Sequence, residues 1–152
     1  MSDIDIIMRL GLAVLIGGII GFEREAQGRA AGLRTHILVC VGSALIALTS
    51  IYIALNYGGL NHNCDPARVA AGIVTGIGFL GAGTIMRARA SVLGLTTAAS
   101  LWGVAGVGLA LGVGFYKAAI YAAVAMIITL AVLGWFAKKY MGKGESTLDV
   151  EE

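Results

Sequence analysis

Long apolar runs separated by short polar segments dominate the sequence. Five runs lie at about Ile4–Phe22, Ile37–Leu55, Val69–Met86, Val92–Tyr116 and Ala118–Ala137. A helix needs about 20 mostly apolar residues to cross the hydrocarbon core of a bilayer, so each run is long enough or nearly so. The pattern predicts an all-α fold, a polytopic transmembrane bundle of five spans over residues 1–137. A short polar tail follows at 138–152.

The composition supports this fold class. Hydrophobic residues make up 58% of the chain and charged residues only 13%, whereas an average soluble domain is about 25% charged. Asp5 and Arg9 lie in the first run with i,i+4 spacing, so we expect them to pair at the membrane surface. An acidic leader and the lack of a small-residue cleavage site argue against a cleaved signal peptide.

The distribution of the 11 basic residues predicts the orientation. If the N-terminus lies outside, the cytoplasmic side receives Arg24, Arg29, Arg34, Arg87, Arg89, Lys138, Lys139 and Lys143. The outside keeps Arg9, Arg68 and Lys117. Cytoplasmic segments of membrane proteins carry an excess of Lys and Arg. We therefore expect the C-terminus and its polar tail to lie in the cytoplasm.

The segment Gly76–Gly83, "GIGFLGAG", contains a G-x-G-x-x-G pattern. In a dinucleotide-binding turn this pattern follows a strand and is followed by an acidic residue about 20 positions later. No Asp or Glu occurs between Asp65 and Glu145, and the pattern lies inside an apolar run. We therefore reject a nucleotide cofactor here.

Small residues let membrane helices approach closely, which is the more general reading of these glycines. GxxxG spacing occurs at Gly17/Gly21, Gly72/Gly76 and Gly108/Gly112. The third run is especially rich, with Gly72, Gly76, Gly78, Gly81 and Gly83. We expect these five to pack helices together. The alternative is that they expose backbone carbonyls, or break the helix, around an ion path.

A weak internal repeat suggests a duplicated hairpin. Shifted by 62 positions, "GFEREAQGRAAGLRT" aligns with "GTIMRARASVLGLTT" at five identical residues of fifteen. Both segments join one predicted span to the next. We hypothesise that spans 1–2 and 3–4 are two helical hairpins related by a pseudo-two-fold axis, with the fifth helix appended.

The polar residues at the predicted cytoplasmic end form what we call the polar cluster. Its members are Glu23, Arg24, Arg34, Thr35, His36, Arg87, Thr96 and Thr97. Glu23 ends the first span, where a buried carboxylate requires a partner, and we expect Arg34 or Arg87 to provide it. The cluster is either a salt-bridge network that fixes the turns or the lining of an ion path or docking surface. His36 is a group that could titrate there.

Asp65 followed by Pro66 predicts a helix start, with Asp as the N-cap and Pro at the first helical position. The alternative reading is a metal site. Asp65, with Asn61 and Asn63, would offer oxygen ligands to a hydrated Mg²⁺ ion. Mg²⁺ is thus the one ion that we retain as a candidate.

The spacing reveals no pair of nucleophile and base. Ser43 lies seven residues after His36, too far along one helix for a hydrogen bond. Ser100 has neither a histidine nor an acid within its segment. We therefore expect no catalytic residues, no enzymatic activity and no organic cofactor.

Three segments together resemble the MgtC/SapB family of bacterial inner-membrane proteins. They are "GFEREAQGRAAGLRTHILVCVGSAL", "DPARVAAGIVTGIGFLGAGTIMR" and "GLTTAASLWGVAGVGLALGVGFY", and the similarity covers about Ala13 to Ala119. The matching positions are Glu23, Arg24, Arg34, Thr35, His36, Asp65, Arg68, Gly81, Gly83, Thr96 and Thr97.

The resemblance implies a multi-pass plasma-membrane protein linked to magnesium homeostasis. It also implies a role in survival under magnesium limitation and, for virulence-related members, inside host cells, with the ATP synthase as one proposed partner. Many relatives continue into a cytoplasmic ACT-like domain, and we expect none in this sequence.

Two functional classes remain open. The first is a membrane protein that acts through contacts between helices, including homo-oligomers formed by GxxxG faces. The second is a transporter or channel for Mg²⁺ or another small solute, with a path through the third and fourth spans. No carboxylate lies in the middle of a span, so an ion on that path would need backbone or hydroxyl ligands.

Overall fold

The computed structural model describes residues 1–57, 65–88 and 91–140, and these are almost entirely helical. The elements are α1 (Asp3–Ala26), α2 (Leu33–Tyr57), α3 (Pro66–Gly83), β1 (Met86–Ala88), β2 (Ser91–Leu93), α4 (Leu95–Val113), α5 (Tyr116–Ile127), a π segment (Ile128–Leu133) and α6 (Gly134–Tyr140). Helix α6 extends beyond the predicted domain boundary at residue 137. Residues 141–152 of the predicted tail lie outside the described residues.

Among the described residues, four helical segments are long and apolar enough to cross a membrane. They are α1, α2, α4 and the segment Tyr116–Phe136, whose 21 residues run through α5 and the π segment into α6. The apolar part of α3, Ala67–Gly83, is shorter. The prediction of an all-α membrane bundle is confirmed.

The third predicted span was too long at its C-terminal end, and the fourth was too long at its N-terminal end. Met86 pairs with Leu93 and Arg87 pairs with Val92 in an antiparallel two-stranded hairpin. Gly94 follows with φ 84°, and a Cβ at this position would collide with the Thr84 carbonyl. A left-handed glycine therefore ends the hairpin and starts α4. An apolar run carries no sign of such a hairpin.

Helices α1, α2 and α4 form a closed unit in which every pair makes contact. Glycines allow this close approach. A Cβ at Gly21 of α1 would lie 2.8 Å from the Leu33 Cα, and one at Gly112 of α4 would lie 2.5 Å from the Ala44 carbonyl oxygen. Two GxxxG pairs, Gly17/Gly21 on α1 and Gly108/Gly112 on α4, thus pack closely against α2.

Arg9 links α1 to α4 at the end of the closed unit where α1 begins. Arg9 pairs with Asp5 at 3.0 Å, which confirms the predicted i,i+4 pair. Its Nη1 also donates to the Gly112 carbonyl at 2.7 Å. Gly114, with φ 85°, then ends α4 beside the Arg9 guanidinium. Arg9 therefore satisfies a carbonyl at the C-terminus of α4.

Helix α3 packs against α2 and α4 at the edge of the closed unit. Ile73 and Ile77 are its buried apolar residues, and they join a small cluster with Ala31, Leu101 and Ala105. The turn between α1 and α2 is irregular, whereas that between α3 and α4 is a β-hairpin. The proposed two-fold relation between the helical hairpins remains a prediction.

Candidate functional site

Arg24, in the last turn of α1, is the largest fully buried side chain among the described residues, with 1% exposure. Its Nε donates to Glu23 Oε2 at 2.5 Å and its Nη2 donates to Glu23 Oε1 at 2.8 Å. Gln27 Nε2 also donates to this carboxylate. The partner of Glu23 is therefore Arg24, and the prediction of Arg34 or Arg87 is wrong. Neighbouring residues on a helix seldom face each other, so the spacing did not suggest this pair.

The Arg24 side chain also reaches the last helix. Its Nη2 donates to the Leu130 carbonyl at 3.4 Å, and Leu130 is buried within the π segment. A π segment interrupts the regular i→i−4 ladder, and such segments often occur at functional sites. Arg24 thus ties the end of α1 to the helix that runs from Tyr116 to Tyr140.

His36, near the start of α2, is completely buried and contacts α4 through Ser100. Its Nδ1 lies 2.9 Å from the Gly32 carbonyl oxygen and its Nε2 lies 3.1 Å from Ser100 Oγ. Ser100 Oγ also lies 2.8 Å from the Thr97 carbonyl oxygen. Ser100 has no histidine within its own segment, and it is folding that brings His36, 64 positions away in the sequence, to its side chain.

The tautomer of His36 sets the direction of these hydrogen bonds. A carbonyl only accepts, so the Gly32 contact places a hydrogen on Nδ1. In the neutral ring, Nε2 then accepts from the Ser100 hydroxyl. In the protonated ring, Nε2 donates to Ser100 and the hydroxyl turns to the Thr97 carbonyl. In either state the chain of polar groups joins α2 to α4.

The polar cluster therefore separates into three parts. Glu23 and Arg24 form one ion pair, and His36 with the buried Thr97 belongs to the Ser100 network. The remaining members are exposed, namely Arg34, Thr35, Arg87 and Thr96. Within the described ranges, no three His, Cys, Asp or Glu side chains gather in a metal-binding group. Arg89 lies outside the described residues.

The glycines of α3 differ from the two GxxxG pairs of the closed unit. Gly81 packs against Ala98 of α4, where a Cβ would meet the Ala98 Cβ at 3.6 Å. A Cβ at the other four positions would have nothing within 4 Å among the described residues, and these are Gly72, Gly76, Gly78 and Gly83. That these glycines pack helices together remains a prediction. A helix that packs against them would not be one of those described above.

Two rows of small residues run along α3. Gly72 and Gly76 follow each other at i,i+4 on the edge toward α2. A second row, which we call the outer stripe, faces away from the bundle. It consists of the exposed residues Ala71, Thr75, Gly78 and Ala82.

Asp65 caps α3. Its Oδ1 accepts a hydrogen bond from the Ala67 backbone N–H at 2.8 Å, which confirms the predicted N-cap. The other two proposed magnesium ligands, Asn61 and Asn63, lie outside the described residues. The magnesium reading of Asp65 thus remains a prediction.

Comparison with known proteins adds a family and several relatives. The MgtC family profile matches residues 10–139. The chain is 42% identical over 140 residues to the Escherichia coli (strain K12) protein named "Putative magnesium transporter YhiD", covering 91% of this chain and 65% of that protein. It is 42% identical over 139 residues to Protein SapB of Bacillus subtilis (strain 168), covering 90% and 60%.

A third relative is Protein MgtC of Salmonella typhimurium (strain LT2), which is 45% identical over 121 residues, or 80% of this chain and 49% of that protein. This chain therefore spans less than two thirds of the length of these relatives. No solved structure matches it.

Proposed function

This chain belongs to the MgtC family, and from that premise we propose that it is a bacterial inner-membrane protein linked to magnesium homeostasis. The name of the YhiD relative supports the link to magnesium. The four long apolar helices support the location in a membrane. The excess of basic residues at the Arg24 end supports an N-terminus outside and a C-terminus in the cytoplasm.

We further propose that the protein acts through contacts between helices within the membrane. The observation that carries this proposal is the contrast between the closed unit and α3. Backbone-to-backbone contacts at Gly21 and Gly112 fill the space between α1, α2 and α4, and apolar residues such as Val104 and Leu111 complete this core. The outer stripe of α3, in contrast, is exposed along its whole length.

Small residues on an exposed membrane helix favour close packing against another helix. The outer stripe offers Ala71 and Thr75 four positions apart, and Gly78 and Ala82 with the same spacing. The partner in this proposal is a transmembrane helix of a second copy or of a larger membrane complex. The closed unit serves as the rigid support that presents α3.

The experiment compares two glycine-to-leucine variants in cells that lack the gene and grow at limiting magnesium. Gly78 lies on the outer stripe and Gly11 lies on an exposed part of α1, and a Cβ at either position would meet nothing within 4 Å. We expect Gly78→Leu to abolish rescue of growth at unchanged protein level, because leucine blocks close helix contact. We expect Gly11→Leu to rescue fully. Equal rescue by both variants contradicts the proposal.

The alternative is transport of Mg²⁺ through α3 and α4, which the name of the YhiD relative favours. Mg²⁺ gives up its water ligands reluctantly and takes oxygen ligands in their place. The hydroxyls of Thr75, Thr84 and Thr96 are the groups that would serve. Purified protein in liposomes loaded with a magnesium indicator separates the two proposals. A protein-dependent Mg²⁺ flux that Asp65→Ala and Glu23→Ala abolish would favour transport over helix contact.

A further inference from the structure

A continuous groove runs between α2 and α3 from the membrane interior to the Arg24 end of the bundle. A cavity of about 430 Å³ lies along both helices. A second cavity of about 380 Å³ lies at the end of α3 and beside the turn before α2. Val39 and Leu80 line both cavities. We call the joined space the α2–α3 groove.

The inner part of the groove is apolar and open. Apart from Ser43, the described residues that line it are aliphatic or glycine. Gly42 on α2 faces Gly72 and Gly76 on α3, and a Cβ at any of the three would meet nothing within 4 Å. Because the glycines on both helices have no side chain, the groove has room for an acyl chain between the helices.

The end of the groove is polar and basic. Arg34, Leu38, Gly42 and Ile46 are spaced four apart, so they form one row on α2, and the last three line the inner cavity. Arg34 starts this row, and the adjacent Thr35 lines the second cavity. Arg34 is exposed and makes no ion pair with any residue in the described ranges.

Hydroxyl groups and a second cation accompany Arg34. Thr35 and Thr84 line the cavity at this end, and Met86 lines it immediately before Arg87 of the hairpin. Arg87 is exposed as well. Cationic and hydroxyl groups at one end and an aliphatic channel behind them complement a molecule with an anionic head and an apolar tail.

We propose that the α2–α3 groove binds an anionic phospholipid, with one acyl chain between the Gly42 and Gly76 walls and the phosphate at Arg34 and Thr35. Guanidinium groups bind phosphate well because their N–H donors match its oxygens. A transmembrane helix of a second copy would place an apolar surface against the charged Arg34 side chain, which is unfavourable. The charge of Arg34 therefore favours a lipid with an anionic head group as the occupant. This inference concerns the groove and does not depend on the outer stripe.

The test is native mass spectrometry of the full chain in detergent micelles, titrated with dioleoylphosphatidylglycerol or with dioleoylphosphatidylcholine. We expect the anionic lipid to bind more tightly. Arg34→Gln lowers its affinity about 5-fold, the usual effect of one basic residue at an anionic lipid surface, and lowers the affinity for phosphatidylcholine by less, because choline offsets the charge of that lipid's phosphate. Arg34→Lys retains most of the preference because it keeps the charge.

Variants of the wall test the acyl chain separately. Gly76→Leu and Gly42→Leu fill the groove from opposite sides, so each should abolish tight binding of both lipids. Two matched controls should bind as the unaltered protein does. Gly11→Leu makes the same change at an open position of α1, and Arg68→Gln removes a charge at the end of α3 opposite Thr84.

Four results would overturn the proposal. Equal affinity for the two lipids would show that the groove does not recognise the net negative charge of an anionic phospholipid. An equal loss from Arg68→Gln would show a general effect of charge. Dissociation of an oligomer by Gly76→Leu, with lipid binding unchanged, would assign the groove to a second copy. A helical, monodisperse Gly42→Leu variant that still binds both lipids would also overturn it.

Discussion

Helices α2 and α3 are both apolar and rich in small residues, yet their surroundings differ. Helix α2 lies between α1 and α4, and glycines of both neighbours touch its backbone near Leu33, Cys40 and Ala44. Helix α3 buries Ile73 and Ile77 and leaves four of its glycines open. The difference shows that the same residue type completes an interface in one region and leaves one unfilled in the other.

The buried polar side chains also differ between the closed unit and α3. Arg24 and His36 lie in α1 and α2, and each forms hydrogen bonds that reach a helix distant in sequence. In the part of the chain that the structure describes, the side-chain hydrogen bonds of α3 and its caps, those of Asp65, Thr75 and Thr84, are local to the helix itself. The closed unit therefore contains the buried polar contacts that join distant helices, whereas α3 leaves exposed the surfaces that we propose bind other molecules.

The largest expected effect comes from Arg24. Arg24→Ala leaves the Glu23 carboxylate, half-buried, without its cation and frees the Leu130 carbonyl. Removing one partner of a buried pair costs about 3–5 kcal/mol, so we expect the free energy of unfolding in micelles to fall by about this amount. Arg34→Ala is the matched control on an exposed site and should change it by less than about 0.5 kcal/mol. Equal losses would mean that Arg24 does not anchor the closed unit.

A smaller loss is expected at Ser100. Ser100→Ala removes the hydroxyl that joins His36 to α4, and hydrogen bonds between membrane helices are worth about 1 kcal/mol. Denaturant unfolding of the purified protein measures this change. Thr96→Ala removes an exposed hydroxyl one turn earlier on α4 and should be neutral. A neutral Ser100→Ala would show that the contact with His36 adds no stability.

The smallest effect should be confined to α3. Asp65→Ala removes the N-cap hydrogen bond to Ala67, which is worth about 1 kcal/mol. Hydrogen exchange should become faster at the backbone amides of the first turn of α3 and remain unchanged in α2 and α4. Faster exchange throughout α4 would show that α3 is not an independent edge of the bundle.

The sequence was most informative where the cause is local. The apolar runs predicted each helix to within a few residues, and i,i+4 spacing predicted the pair of Asp5 with Arg9. The Asp65–Pro66 signal likewise predicted the cap of α3. These features depend on neighbours along one helix, so spacing alone is enough to reveal them.

Contacts between helices were not predictable in the same way. GxxxG spacing shows that a helix has a flat face but not what lies against it, so Gly108/Gly112 and Gly72/Gly76 looked alike and differ in the structure. The contact of His36 with Ser100 depends on how α2 and α4 are rotated and aligned. The apolar sequence of the last helix gave no indication of the π segment.

The most direct test compares Gly108→Ala with Gly72→Ala, the same change in two membrane helices, by the free energy of unfolding in the same micelles. A methyl group at Gly108 meets the Cys40 carbonyl, so we expect a loss of about 2 kcal/mol from overpacking. A methyl group at Gly72 meets open space, so we expect a gain of up to about 1 kcal/mol from helix propensity. Opposite signs would support the division into a closed unit and an open α3, and equal losses would contradict it.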